Sequence, residues 1–166
     1  MRRLAIAITT FSLTACVKTG TLRDPLELAV EGKLWGGTAI YSPSGTVPYG
    51  IAVAREGSGA LVIETPAEIE NEKLPPGAYQ RFVVTGTKGK RVMRYRTAAG
   101  AGSFRDGVLH EKRVEKGAAR GTLAFASSDG TMEVALVPLE GGQMSFRVLL
   151  HGSVHLDVVL TRLARE

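Results

Sequence analysis

The chain has 166 residues, a length that suits one domain with a real core. A single cysteine excludes a disulfide within the chain, so apolar packing must hold the fold. The formal charge is +5, but no long basic run exists, and with the export signal described next this argues against a nucleic-acid partner. Arg outnumbers Lys by 14 to 7 without clustering into a phosphate-tracking stretch.

The first element is a leader. Arg2 and Arg3 precede an apolar run over residues 4–13, interrupted by Thr9, Thr10 and Ser12. A membrane span needs about 20 apolar residues, about twice this run. The basic start, short apolar centre and small residues before Cys16 have the order of a secretory signal. Its end, Leu13-Thr14-Ala15-Cys16, resembles the lipobox of bacterial lipoproteins. The resemblance implies cleavage after Ala15, acylation of Cys16 and attachment to a membrane through the lipid. Two or more acyl chains anchor a protein stably. Val17 is not the Asp of the common inner-membrane retention rule, so the resemblance points to the outer membrane of the cell envelope. On this reading residues 1–15 are the signal, 16–25 a lipidated tether and 26–166 the folded domain. Loss of Arg2 and Arg3 leaves 19 basic and 16 acidic residues, a net +3.

From Leu26 onward short apolar segments alternate with Gly, Ser, Asp and Pro, a pattern of strands and tight turns. Strands are expected near 26–35, 37–42, 47–55, 59–64, 79–86, 90–97, 104–113 and 119–127, with three more in the C-terminal part. Between them, Thr65-Pro66-Ala67-Glu68 has the spacing of a capping box, which fits either a short helix over 66–73 or an acidic loop. A two-residue turn at Lys88-Gly89 pairs Val84 with Met93 and Phe82 with Tyr95. Arg81, Arg94 and Arg96 then face outward. Arg91 has inward parity but lies near enough to the turn to reach water. A four-residue turn over 127–130 sets Leu123 opposite Val134 and Phe125 opposite Met132. A three-residue loop at Glu140-Gly141-Gly142 sets Leu136 opposite Phe146, and another at His151-Gly152-Ser153 sets Leu150 opposite Val154 and Val148 opposite Leu156. These registers place the apolar sets on one face, and a one-residue slip would reverse a strand. The expected fold is all-β: a single antiparallel up-and-down barrel, with a β-sandwich as the alternative.

Gly32-Lys33-Leu34-Trp35 near the start and Arg162 near the end loosely resemble the lipocalins. That family has Gly-x-Trp on its first strand and an Arg from its last strand laid over the ring; here the spacing is Gly-x-x-Trp. The resemblance implies a calycin-like barrel, a cation–π contact between Trp35 and Arg162, and an interior able to hold a small apolar ligand. A barrel interior of small side chains favours such a carrier. One of interdigitated Phe, Leu, Met and Val favours a module that binds through its outside.

Other candidate features are few. Tyr41, Pro43, Pro48 and Tyr49 frame residues 42–50, which suit either a contact surface or a folded-back rim. Arg91, Arg94 and Arg96, with Lys88 and Lys90, form a basic patch suited to anionic headgroups or an acidic partner. The mixed charges over 105–113 read as a solvated strand. His151 and His155 bracket the last turn with His155 facing outward, and no third ligand of metal-site spacing accompanies them, so no metal is expected. Glu64, Glu68, Glu70 and Glu72 lack the loop pattern of a calcium site. The chain has no Gly-x-Ser-x-Gly, His-Glu-x-x-His or P-loop. The sequence therefore points to a non-enzymatic envelope protein without a cofactor, an accessory or assembly component that binds another envelope protein. The alternatives are a carrier of a small apolar ligand and an inhibitor of a lytic enzyme or protease. The inhibitor needs a protruding loop at 42–50 or 98–107.

Overall fold

The computed structural model describes residues 24–41, 45–57, 59–65, 79–100, 103–114 and 118–164. The leader, Cys16, most of the tether, Pro43, the 66–73 segment and Glu68, Glu70 and Glu72 lie outside the described residues.

The first described element is a helix, α1 (Pro25–Gly32), where the sequence suggests a strand over 26–35. Asp24 caps it: its carboxylate oxygen accepts from the Leu26 N–H at 3.0 Å, and Pro25 occupies the first turn. Glu27 adds a negative charge near the positive end of the helix dipole. Leu26 and Ala29 share the buried face of the helix. The helix stops at Lys33, whose backbone turns to φ 60° while its N–H donates to the Ala29 carbonyl at 3.2 Å.

Ten strands follow: β1 (Leu34–Tyr41), β2 (Gly45–Glu56), β3 (Ala60–Glu64), β4 (Gln80–Thr85), β5 (Val92–Gly100), β6 (Ser103–Lys112), β7 (Leu123–Ala126), β8 (Met132–Pro138), β9 (Met144–Leu150) and β10 (Ser153–Arg162). Each pairs antiparallel with its chain neighbour. β1 also pairs with β10, which closes an up-and-down barrel and rules out the sandwich.

Alternation fixes what faces inward. Trp35, Phe82, Met93, Phe125, Phe146 and Leu156 are all fully buried. Phe82 and Phe146 come from diametrically opposite strands, yet their ring centroids lie 5.7 Å apart in an edge-on contact. The side chains therefore meet across the barrel axis, and the interior is a packed core. The outward set carries Arg81, Arg94, Arg96, Asp106, Arg147 and Asp157. That is the reverse of a membrane-spanning barrel, which has an apolar outer band and a polar interior.

Two expected hairpins have the register read from the sequence: Val84 with Met93 and Phe82 with Tyr95, and Leu136 with Phe146 and Val134 with Val148. Two others differ. Phe125 pairs with Val134 and Leu123 with Leu136, two residues from the expected register. The slip is even, so the same side chains stay inside. It arises because Ser127 and Met132 are themselves paired: the Ser127 N–H donates to the Met132 carbonyl at 2.9 Å, and the Met132 N–H donates to the Ser127 hydroxyl at 3.0 Å. The turn is thus 128–131, and the Asp129 carboxylate accepts from the Thr131 N–H at 3.0 Å and from its hydroxyl at 2.8 Å. In the last hairpin Leu150 pairs with Ser153 and Leu149 with Val154, and a bulge before Leu156 restores the Val148–Leu156 pair. His151 at φ 51° and Gly152 at φ 76° make that turn a two-residue one.

The Ser127 side chain, then the Thr131 N–H and hydroxyl, hold the Asp129 carboxyl at about 2, below its ordinary 3.8. A depressed carboxyl stabilises the fold above its unfolded value, and that contribution disappears as pH falls through the folded value. We expect an NMR carboxyl titration to give Asp129 a midpoint of about 2. A midpoint at 3.8 would mean the turn hydrogen bonds do not form.

Candidate functional site

The two ends of the barrel are built differently. At one end α1 acts as a plug, packing on β2 and β8. Leu26 and Ala29 enter the core, and the indole Nε1–H of Trp35 donates to the Ala29 carbonyl at 2.9 Å. Gly32 lies directly against that ring; a Cβ there would sit 2.1 Å from Trp35 Cε2. Beside the plug, Arg91 pairs with Asp24 and stands 3.6 Å from Glu111. Glu111 also accepts the backbone N–H groups of Gly89 at 2.7 Å and Arg91 at 3.0 Å, tying the β4–β5 turn to β6. The Arg91 side chain is only 12% exposed. It reaches water only marginally, because the cap residue Asp24 pairs with it. Glu111 likewise shows that the 105–113 stretch is not wholly solvated.

Among the described residues the other end carries no plug and is open, and its innermost layer becomes polar. Gln80 is buried and accepts a 2.8 Å hydrogen bond from the Tyr49 hydroxyl. Its backbone is tied to Thr65 through N–H to Oγ1 at 2.8 Å and Thr65 N–H to carbonyl at 2.9 Å. Tyr95 lies across Gly107, its register partner, where a Cβ would come within 2.4 Å of the ring. Above this layer is a cavity of about 340 Å³. Gln80, Tyr95, Thr97 and Arg105 line one wall, from β4, β5 and β6. Met132, Val148 and Leu150 line the facing wall, from β8 and β9, with Thr131, His151 and His155 on the rim. The β10 bulge brings His155 to the cavity rather than outward as strict alternation predicts, and burial lowers its pKa below the ordinary histidine value. No carboxylate lines the cavity among the described residues.

Outside the barrel, Arg94 and Arg96 are exposed on β5. The Arg96 guanidinium sits 4.4 Å from the centroid of Phe104, which meets Tyr79 edge-on at 6.1 Å. The Tyr79 hydroxyl donates to Glu64 at 2.7 Å; burial, then this bond, raises its pKa. Arg81 is paired with Glu56 at 3.1 Å and Glu64 at 3.6 Å, so part of the basic face is neutralised. On the β1–β10 seam an apolar strip is exposed: Ile40, Val159 and Leu163, at 64%, 47% and 50%. Val159 stands opposite Thr38, and Leu163 lies over Gly36.

No family model, curated protein or solved structure matches this chain.

The sequence-derived residues thus separate into three groups. Trp35 and Arg91 are structural parts of the plugged end. Tyr49 faces inward at the open end, and Tyr41 ends β1 there, its side chain outside the described residues. Arg94, Arg96 and Arg162 are exposed. Arg162 is the β10 register partner of Trp35; among the described residues the cation–π contact formed is Arg96 on Phe104. Neither expected protruding loop is one in its described part. Residues 45–50 lie in β2, while 98–100 and 103–107 pair within β5 and β6. Sequence reasoning missed Arg105 as a cavity residue. Its signal was parity: Arg105, Gly107, Leu109 and Glu111 share one face of β6, and Leu109 is fully buried.

Proposed function

We propose that the chain is a lipid-anchored protein of the cell envelope, held through Cys16 at the outer membrane, and that its barrel is a non-enzymatic module that binds another envelope protein. The observation that supports this best is the filled interior: Phe82 and Phe146 meet across the axis, leaving the outside as the main surface for contact. The exposed Ile40–Val159–Leu163 strip is the kind of apolar patch that marks a protein contact. Among the described residues no helix is long and apolar enough to cross a membrane, so attachment in this reading rests on the lipid.

Cys16→Ala should release the protein from membranes or leave the leader uncleaved, read by fractionation and by the intact mass. A Cys16→Ala protein that still matures and stays with lipid would contradict the anchor. A photo-crosslinking residue at Ile40 should give one discrete protein adduct in cells, and the same residue at Ser128 should not. Equal adducts from both positions would remove the β1–β10 face as the contact.

The cavity at the open end favours a second reading, a carrier of a small ligand. Its volume, about 340 Å³, falls at the small end of ligand sites.

A further inference from the structure

Two arginines among the described residues have inward parity, and they are treated differently: Arg91 is largely buried, while Arg105 is exposed at the cavity mouth. Arg91, at the plugged end, is matched by Asp24 and Glu111. Arg105, at the open end, lines a cavity in which no carboxylate is present among the described residues. An accessible guanidinium at the mouth of a cavity, beside Gln80, Tyr95 and Thr97 and with no carboxylate among the described lining residues, is a position an anionic group can reach. The cavity is also two-sided. Tyr95, Thr97 and Gln80 stand on the wall with Arg105, while Met132, Val148 and Leu150 form the wall across from them. The packed core beneath, with Phe82, Met93 and Phe146 fully buried, stops a ligand from going deeper.

We propose that the open end of the barrel binds a small amphiphilic monocarboxylate, its carboxylate on Arg105 and its apolar part against Met132, Val148 and Leu150. This rests on the carrier reading and adds the charge of the ligand and its place. It needs neither the lipid anchor nor a protein partner. An apolar tail has room only within the open layer, so compact or short-chain acids fit and long straight chains do not.

Three methionines report on the site separately. Met132 lines the cavity, and Met93 and Met144 are fully buried in the core. The full chain, carrying carbon-13 methyl methionine, is placed in phosphatidylcholine nanodiscs and titrated with octanoate, octanol and octylamine. Free probe is measured in each sample to account for partition into lipid. Octanoate should move the Met132 methyl resonance saturably and leave Met93 and Met144 in place. Octanol and octylamine should bind at least about tenfold more weakly, as expected for loss of a charge-assisted contact. Arg105→Gln should weaken octanoate at least about tenfold, with the Met93 and Met144 resonances unchanged as proof of fold. Octanol binding as tightly as octanoate would overturn the anion claim and leave an apolar carrier. Movement of all three methionines would put the ligand in the core and overturn its placement. No movement with any probe would sink the carrier reading as well.

Discussion

Trp35→Ala should lower stability by about 3–5 kcal/mol, the range for deleting a large buried aromatic. Trp35 is only 1% exposed, belongs to the core, and fixes α1 through its hydrogen bond to the Ala29 carbonyl. The variant leaves a cavity under the helix and removes the donor that holds it. Gly32 supplies an internal check. Its added methyl would fall within 2.1–2.3 Å of the indole, so Gly32→Ala should cost about 1–3 kcal/mol by overpacking. With Trp35 removed, that methyl meets open space. The two changes should therefore be strongly non-additive, with Gly32→Ala close to neutral in the Trp35→Ala background. Urea denaturation of the four proteins measures the cycle. Additive effects, or a Trp35→Ala loss below about 1 kcal/mol, would place the ring outside the core.

Arg91→Met is expected to cost about 3 kcal/mol, the low end for breaking a buried ion pair, since its carboxylate partners retain a little exposure. The methionine replaces the bulk but leaves Asp24 and Glu111, 15% and 11% exposed, facing each other without the cation. Asp24 caps α1 and Glu111 holds the backbone of Gly89 and Arg91, so the loss should reach the helix and the β4–β5 turn together. Arg91→Lys should recover only part, because one ammonium cannot match the two-sided reach of a guanidinium. Hydrogen exchange should show faster opening of α1 and of the 87–91 turn in Arg91→Met. Unchanged protection at both would mean that Arg91 is an ordinary surface residue.

The barrel was legible where alternation and turn chemistry agreed. Lys88-Gly89 and Glu140-Gly141-Gly142 have glycine at positive φ, and the apolar residues on either side fall into one face only if those turns are the tips. The misses came from interactions that alternation does not carry. Ser127 and Met132 extend a hairpin through side-chain hydrogen bonds, shifting the register by two without moving any residue off its face. The bulge before Leu156 preserves the inward set while re-aiming His155, so the correct core gave no hint of the histidine's position. The helix did announce itself, since Asp24-Pro25-Leu26-Glu27 is a start signal and Leu26, Ala29 and Val30 follow the helical spacing. Next to a long run of strand-like segments, those residues also suit a strand. In the sequence Arg91 has inward parity with access to water from its turn, and Arg105 and Glu111 read as part of a solvated strand, as charged residues usually are. Parity with Met93 and Leu109 puts all three on the inward face, and only the three-dimensional arrangement distinguishes the buried, paired Arg91 and Glu111 from Arg105, exposed at the cavity mouth.

Native mass spectrometry of the C-terminally tagged chain, extracted gently from its own membranes, would reveal whether this is an acylated barrel that works by binding another envelope protein. On this proposal the expected species is a polypeptide that begins at Cys16, carries acyl mass and travels with a stoichiometric protein companion. A chain that begins elsewhere and carries no lipid, or a lipidated monomer with no companion protein, would contradict it.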